Sequence, residues 1–277
     1  MHRFSLFPAA FFALLLLAGC GPSTEPDPAS SQAKDSAQAV AVAQSGDTQS
    51  CAAPLEVAVM QDKSKSSQEY RTPQLSVGNL EPIIKQLRAC GGELAVGLIR
   101  AESNRSLARL YVPQPDLPPL PQKPSREEAE NTFEYDQAMM EHRKERKKAR
   151  AARKRARARH QREVKKRVKA FKTKLAELLE TAPNANYTDV WGGIRRAELF
   201  LAEPDAGYNT APRKAMIVIS DARDNAGKPP VGVPLESGAE VLLVNGAPSL
   251  GSLKKVEPTR FESIDGAVRY WGRTVGS

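Results

Sequence analysis

The stretch Leu55-Glu56-Val57-Ala58-Val59-Met60-Gln61-Asp62-Lys63-Ser64-Lys65-Ser66 decides the fold. Residues 55–60 are a short apolar run of strand type and residues 61–66 are polar, so a buried strand ends in a cluster of side-chain oxygens. Open α/β sheets place their sites at such strand ends. Reading outward, Asn79 through Ala89 sets Leu80, Ile83 and Leu87 at helical spacing and stops at Gly91-Gly92, which predicts a helix with a glycine cap. Leu94–Ile99 and Leu107–Val112 predict two further strands. Beyond Pro183, Thr188 precedes a helix with Val190, Ile194, Ala197 and Leu201 on one face. Met216–Ile219 and Val241–Val244 predict strands, and Phe261–Trp271 a closing helix that turns Ile264, Val268 and Trp271 inward. Strands alternating with helices predict an α/β fold: a mostly parallel sheet flanked by helices.

Asp62, Ser64 and Ser66 form D-x-S-x-S, a pattern that common polar residues match by chance in many chains. Thr188, just before a helix, and Asp221, just after an apolar strand, add two more oxygen-bearing side chains at the same sheet edge. This arrangement resembles the von Willebrand factor A domain and its metal-ion-dependent adhesion site, over residues 55–112 and 184–275. The resemblance implies a Rossmann-like sheet in which Ser64 and Ser66 contact the ion directly. It implies Thr188 as a third hydroxyl ligand, with Asp62 and Asp221 as carboxylates acting largely through water. The expected ion is Mg²⁺, with Ca²⁺ or Mn²⁺ as substitutes, because a small hard cation takes near-octahedral oxygen ligation and hydroxyls leave its charge underneutralised. An acidic side chain of a protein partner would then complete the shell. Two features depart from the family pattern: Ala222 stands where many members carry glycine, and Lys63 and Lys65 flank the first motif. The lysines either weaken the cation by like-charge repulsion or attract the acidic partner. The family fold also brings the start of the first strand and the end of the first helix to the pole opposite the metal, which implies a disulfide between Cys51 and Cys90.

Between the two parts of this domain, 51–112 and 184–277, lies an insertion over 113–183. Residues 113–124 hold six prolines and predict a stiff extended connector. Ser125-Arg126-Glu127-Glu128 reads as a capping box, and no Gly or Pro follows until Pro183. A helix over 126–181 would be about 84 Å long. Residues 141–170 contain 16 Lys/Arg and 3 Glu, a net +13 against +9 for the whole chain, leaving −4 for the remainder. The basicity therefore belongs to this helix, in Arg143, Lys144, Arg146, Lys147, Lys148, Arg150, Arg153, Lys154, Arg155, Arg157 and Arg159. A stripe of Ala149, Ala152, Ala156, Val164, Val168, Phe171, Leu175 and Leu178 runs along it, apolar enough to pack only from Val164 onward. Such a surface suits anionic lipid headgroups or an acidic envelope polymer, and equally a solvated spacer helix. Nucleic acid, which such a charge would attract at low salt, is the least expected partner because of the amino-terminal leader over residues 1–19.

At the amino terminus, His2 and Arg3 precede an apolar core from Phe4 to Leu17 and then Ala18-Gly19-Cys20, the layout of a secretory signal over 1–19. Leu17-Ala18-Gly19-Cys20 resembles the lipobox of bacterial lipoproteins, which implies acylation of Cys20 and a chain anchored to the membrane. By the same resemblance, Gly21 in place of Asp favours the outer membrane. Residues 20–50, rich in Ser, Ala, Gln and Pro, read as a disordered tether. Past the leader the histidines are His142 and His160, both inside the basic run, and neither a phosphate-binding glycine loop nor a nucleophile elbow occurs, so no enzyme is expected. The expected function is a lipid-anchored envelope module that docks an acidic partner residue through metal. The alternative is a structural spacer carrying a metal-free platform.

Overall fold

In the computed structural model the described residues are 53–103, 107–127, 130–181, 186–204, 208, 210–225, 235–245 and 256–276. The strands are β1 (Leu55–Asp62), β2 (Gly92–Ile99), β3 (Ala108–Val112), β4 (Arg213–Ile219), β5 (Glu240–Val244) and β6 (Thr259–Phe261). The helices are α1 (Lys65–Glu69), α2 (Glu81–Cys90), α3 (Thr132–Leu179), α4 (Val190–Leu201) and α5 (Ile264–Gly276). The strands form one sheet in the order β3-β2-β1-β4-β5-β6, parallel throughout except for β3, which runs antiparallel to β2. This is the expected α/β fold, a mostly parallel sheet with flanking helices and a long inserted basic helix.

Every residue of β1 is buried, because helices cover both faces of the sheet. Leu55, Val57 and Val59 point to the side holding α2, α5 and the carboxy-terminal part of α3, whereas Ala58 and Met60 point to α4. The period-2 alternation of strand side chains thus divides one apolar run between two cores. Gly91 ends α2 at φ 77°, a conformation costly for other residues.

Two boundaries differ from the sequence reading. The helix does not open at Ser125: Ser125 Oγ accepts from Glu127 N at 3.2 Å, but α3 begins after Asn131, whose side chain accepts from Glu134 N at 3.0 Å. Both sites match the cap pattern, and only the later one opens the helix, which is about 72 Å long for its 48 residues. At the other end Phe261 does not open a helix but closes the short strand β6, and Ser263 caps α5 by accepting from Gly266 N at 3.1 Å.

Along α3, Val164, Val168, Phe171 and Leu175 are buried against the sheet, as the stripe predicts. Residues 143–163 form a shaft with no buried side chain among them. The direction of the shaft follows from register. β3 ends beside Gly92, at the pole where β1 and β2 begin, and Arg167 lies 5.5 Å over the ring of Tyr111 at that end. The helix amino-terminal to Val164 therefore runs out past that pole. The proline segment does more than connect: His142 Nε2 lies 3.3 Å from the Pro121 carbonyl oxygen. Ten connector residues from Tyr111 to Pro121 reach about 31 Å, and 25 helical residues from Arg167 back to His142 about 38 Å. The connector thus lies antiparallel along the helix, with Pro113, Leu117, Pro121 and Pro124 half-buried, and it covers the face that carries Ala149 and Ala156.

Candidate metal centre at the sheet edge

β1 and β4 are neighbours where the strand order turns: β2 and β3 extend to one side, β5 and β6 to the other. The loops leaving the carboxyl ends of such a pair diverge and open a crevice between them. Asp62 closes β1, and Ser220-Asp221 follow β4 directly.

Asp62 is fully buried. Its Oδ1 accepts from Ser64 N at 2.8 Å and its Oδ2 from Ser220 Oγ at 2.6 Å. Burial pushes its carboxyl above the ordinary value, the bonds from Ser220 and Ser64 pull it down, and the nearby charge of Asp221 adds to the rise. Ser64 is the N-cap of α1, accepting from Ser67 N at 3.3 Å. Its hydroxyl lies 3.1 Å from that of Ser66, so the two serines share one turn and one direction.

Thr188 is buried and held by Asn225 on both sides of its peptide, N to Asn225 Oδ1 at 2.6 Å and O from Asn225 N at 3.1 Å. Next to it Asp189 donates its N–H to Arg100 O at 2.8 Å and caps α4 by accepting from Gly192 N at 2.9 Å. A Cβ at Gly192 would stand 2.0 Å from Asp189 Oδ2, so this cap requires glycine there. The segment is therefore tied to the ends of both β2 and β4. Asp221 accepts from Arg223 N at 3.1 Å through Oδ1, while its Oδ2 is buried with no hydrogen-bond partner among the described residues. Leaving a buried acceptor without a partner costs about 1–3 kcal/mol, and more when the group is charged.

The structure thus brings Asp62, Ser64 and Ser66 together with Asp221 at one edge, and ties the Thr188 segment to the same edge through Asn225. The residues missed in the sequence are Ser220, Asn225 and Asp189. Only the last had a legible signal, an acidic residue immediately before a helix. The donor set suits a hard cation, being entirely oxygen, and the orphaned Asp221 Oδ2 fits a ligand position. Among the described residues no three His, Cys, Asp or Glu side chains cluster. Ala222 adopts φ 59°, a left-handed conformation that favours glycine. Lys63 is buried, and burial together with the charge of Arg100 lowers its pKa. At the rim, Arg223 lies 3.9 Å over the Tyr70 ring. Lys65 is exposed.

The other expected residues lie elsewhere. Of the eleven basic residues read from 143 to 159, ten are exposed and Arg153 is half-buried. Cys90 is disulfide-bonded, and its partner lies outside the described residues, as do Cys51 and Cys20. Among the described residues no helix is long and apolar enough to cross a membrane.

No family model matches the sequence, and no curated protein does. Among solved structures, proximal thread matrix protein 1 from the mussel byssus is similar at 13% identity and a TM-score of 0.39. That match covers 81% of this chain and 48% of the mussel protein, so the chain spans about half of that protein's length. A likeness this remote carries no argument about function.

Proposed function

We propose that this chain is a lipid-anchored binding module of the bacterial cell envelope, in the outer membrane, and not an enzyme. Its sheet edge takes a divalent cation, Mg²⁺ foremost, and docks an acidic residue of a protein partner. The basic helix contacts anionic surfaces. The observation that carries the metal reading is the buried Asp221 Oδ2 without a hydrogen-bond partner among the described residues, beside the buried Asp62. Ser64, Ser66 and Thr188 would supply hydroxyl oxygens, and Asp62 and Asp221 carboxylates. When bound, the ion supplies a Lewis-acidic position open to a partner's carboxylate. The resemblance to the von Willebrand factor A domain agrees with this reading, and so does the placement of His142 and His160 on α3, away from the edge.

A second reading, a spacer with a metal-free platform, is favoured by Asp62 having both oxygens satisfied within the protein and by the buried cation of Lys63 next to it. One experiment separates the two. Calorimetric titration with Mg²⁺ and capture of envelope proteins with and without chelator are compared for the wild type and Asp62→Ala. Under the adhesion reading the wild type binds Mg²⁺ and captures a partner that chelator releases, and Asp62→Ala does neither. Partner capture that survives both chelator and substitution overturns it.

A further inference from the structure

We propose that the shaft of α3 binds a flexible linear polyanion that wraps around it, in preference to a flat anionic membrane. This rests on the reading of the helix as an anionic contact and specifies which kind. Three observations carry it. The first is charge density: 16 Lys/Arg in residues 141–170 amount to one cation per roughly 3 Å of axis, of the same order as the roughly one phosphate per 1.7 Å along duplex DNA.

The second is how the charge is distributed. At about 100° per residue, with His142 as origin, Arg157 and Arg159 bound a cationic arc of about 200° that also holds Arg143, Lys147, Lys148 and Arg155. A flat surface reaches one side of such a rod, whereas a flexible chain reaches all of it. Glu145 and Glu163 lie on the remaining flank, next to the face covered by the connector.

The third is what the helix cannot offer a bilayer. Helices that lie in a membrane interface bury an apolar face there, but the inner face of this shaft is covered by the proline connector, anchored at His142 and Pro121. The tip that leads away from the domain is also acidic, with Glu127, Glu130, Glu134, Asp136 and Glu141 against Lys123 and Arg126. An anionic bilayer would repel the end that reaches it first. The basic track instead continues toward the domain, into a groove lined by Arg88, Lys165, Lys169 and Lys172 and closed at its far end by Glu177 and Glu180.

The test uses the mature full chain carrying Cys20→Ser, so that no acyl group reports membrane binding. The probes are long-chain inorganic polyphosphate and phosphatidylglycerol/phosphatidylcholine vesicles at equal accessible anionic charge, each titrated over a range of NaCl concentrations. Two triple variants divide the arc: Arg143→Gln with Lys147→Gln and Lys154→Gln, and Lys144→Gln with Lys148→Gln and Arg155→Gln. Thermal melting checks that both fold. Polyphosphate is expected to bind at least tenfold more tightly than vesicles, and each triple is expected to flatten the log–log salt slope by about 2, at roughly 0.7 per lost contact. Vesicle binding equal to or tighter than polyphosphate overturns the proposal while leaving the anionic-contact reading intact. So does an effect confined to one triple, and so does polyphosphate binding that neither triple alters. Binding of neither probe at low salt overturns both the proposal and the anionic-contact reading, without touching the metal site.

Discussion

The edge beyond β1 and β4 and the shaft of α3 occupy opposite poles of the molecule and are built on opposite plans. At the edge a few polar groups are buried and most are held by a named partner, the carboxylates of Asp62 by Ser64 and Ser220 and of Asp189 by Gly192, and the Thr188 peptide by Asn225, while Asp221 Oδ2 has no partner among the described residues. On the shaft many cations are exposed and few are held by anything. A buried polar group is worth most when its geometry is fixed, whereas exposed charges act through their sum. Single substitutions should therefore be decisive at the edge and nearly silent on the shaft.

The contrast is tested most strongly at the root of α3, where shaft and sheet meet. Phe171 is buried, and Phe171→Ala is expected to cost about 3–5 kcal/mol in denaturant unfolding. Phe133, 76% exposed at the tip, is expected to change stability by about 0.5 kcal/mol or less when replaced by Ala. Equal effects would mean that the tip is packed in solution. Next in size is the ion itself: Mg²⁺ at a hundred times its Kd should stabilise the wild type by about 2.7 kcal/mol, and Asp221→Ala should lose that gain while keeping its metal-free stability. A metal-dependent Tm shift that persists in Asp221→Ala removes this carboxylate from the centre. On the arm, His142→Ala should loosen the connector by about 1 kcal/mol, seen as faster proteolysis or hydrogen exchange over 113–127 with an unchanged global Tm. The smallest effect is at Ala222. Gly relieves about 1–2 kcal/mol of left-handed strain and returns about 0.4–1 kcal/mol through a freer unfolded chain. Ala222→Gly should therefore stabilise by about 0–1.6 kcal/mol, with about 0.8 at the centre, and a loss of stability would show that the Ala methyl makes contacts worth more than the strain.

The central strands were legible because a strand buried on both faces must be apolar at nearly every position, as 55–60 and 216–219 are. The root of α3 was legible for a related reason, since Val164, Val168, Phe171 and Leu175 repeat at helical steps inside an otherwise charged run. β6 was not, because Thr259 and Arg260 are exposed and a three-residue strand has no apolar run to betray it. At the site, Asp62 and Asp221 were legible as polar residues ending apolar strands. The partnership of Asp62 with Ser220 was not, because it depends on the β1–β4 register, which joins residues 158 positions apart. Asn225 is hidden for the same reason: its bonds to Thr188 cross 37 positions, and nothing local marks it. The course of the proline segment was only half legible. Its stiffness follows from composition, but its return along the helix follows from Arg167 over Tyr111 and His142 against Pro121, contacts no periodicity displays.

The absence of Gly and Pro from residues 132–179 has a mechanical consequence. The shaft and the packed root form one lever with no hinge between them, and the fulcrum lies where Val164 meets the sheet. From there to Thr132 the lever arm is about 48 Å, so a 5° rocking of the root displaces the tip by about 4 Å. A load applied to the far end is delivered, by the same leverage, onto the sheet that carries Asp62 and Asp221.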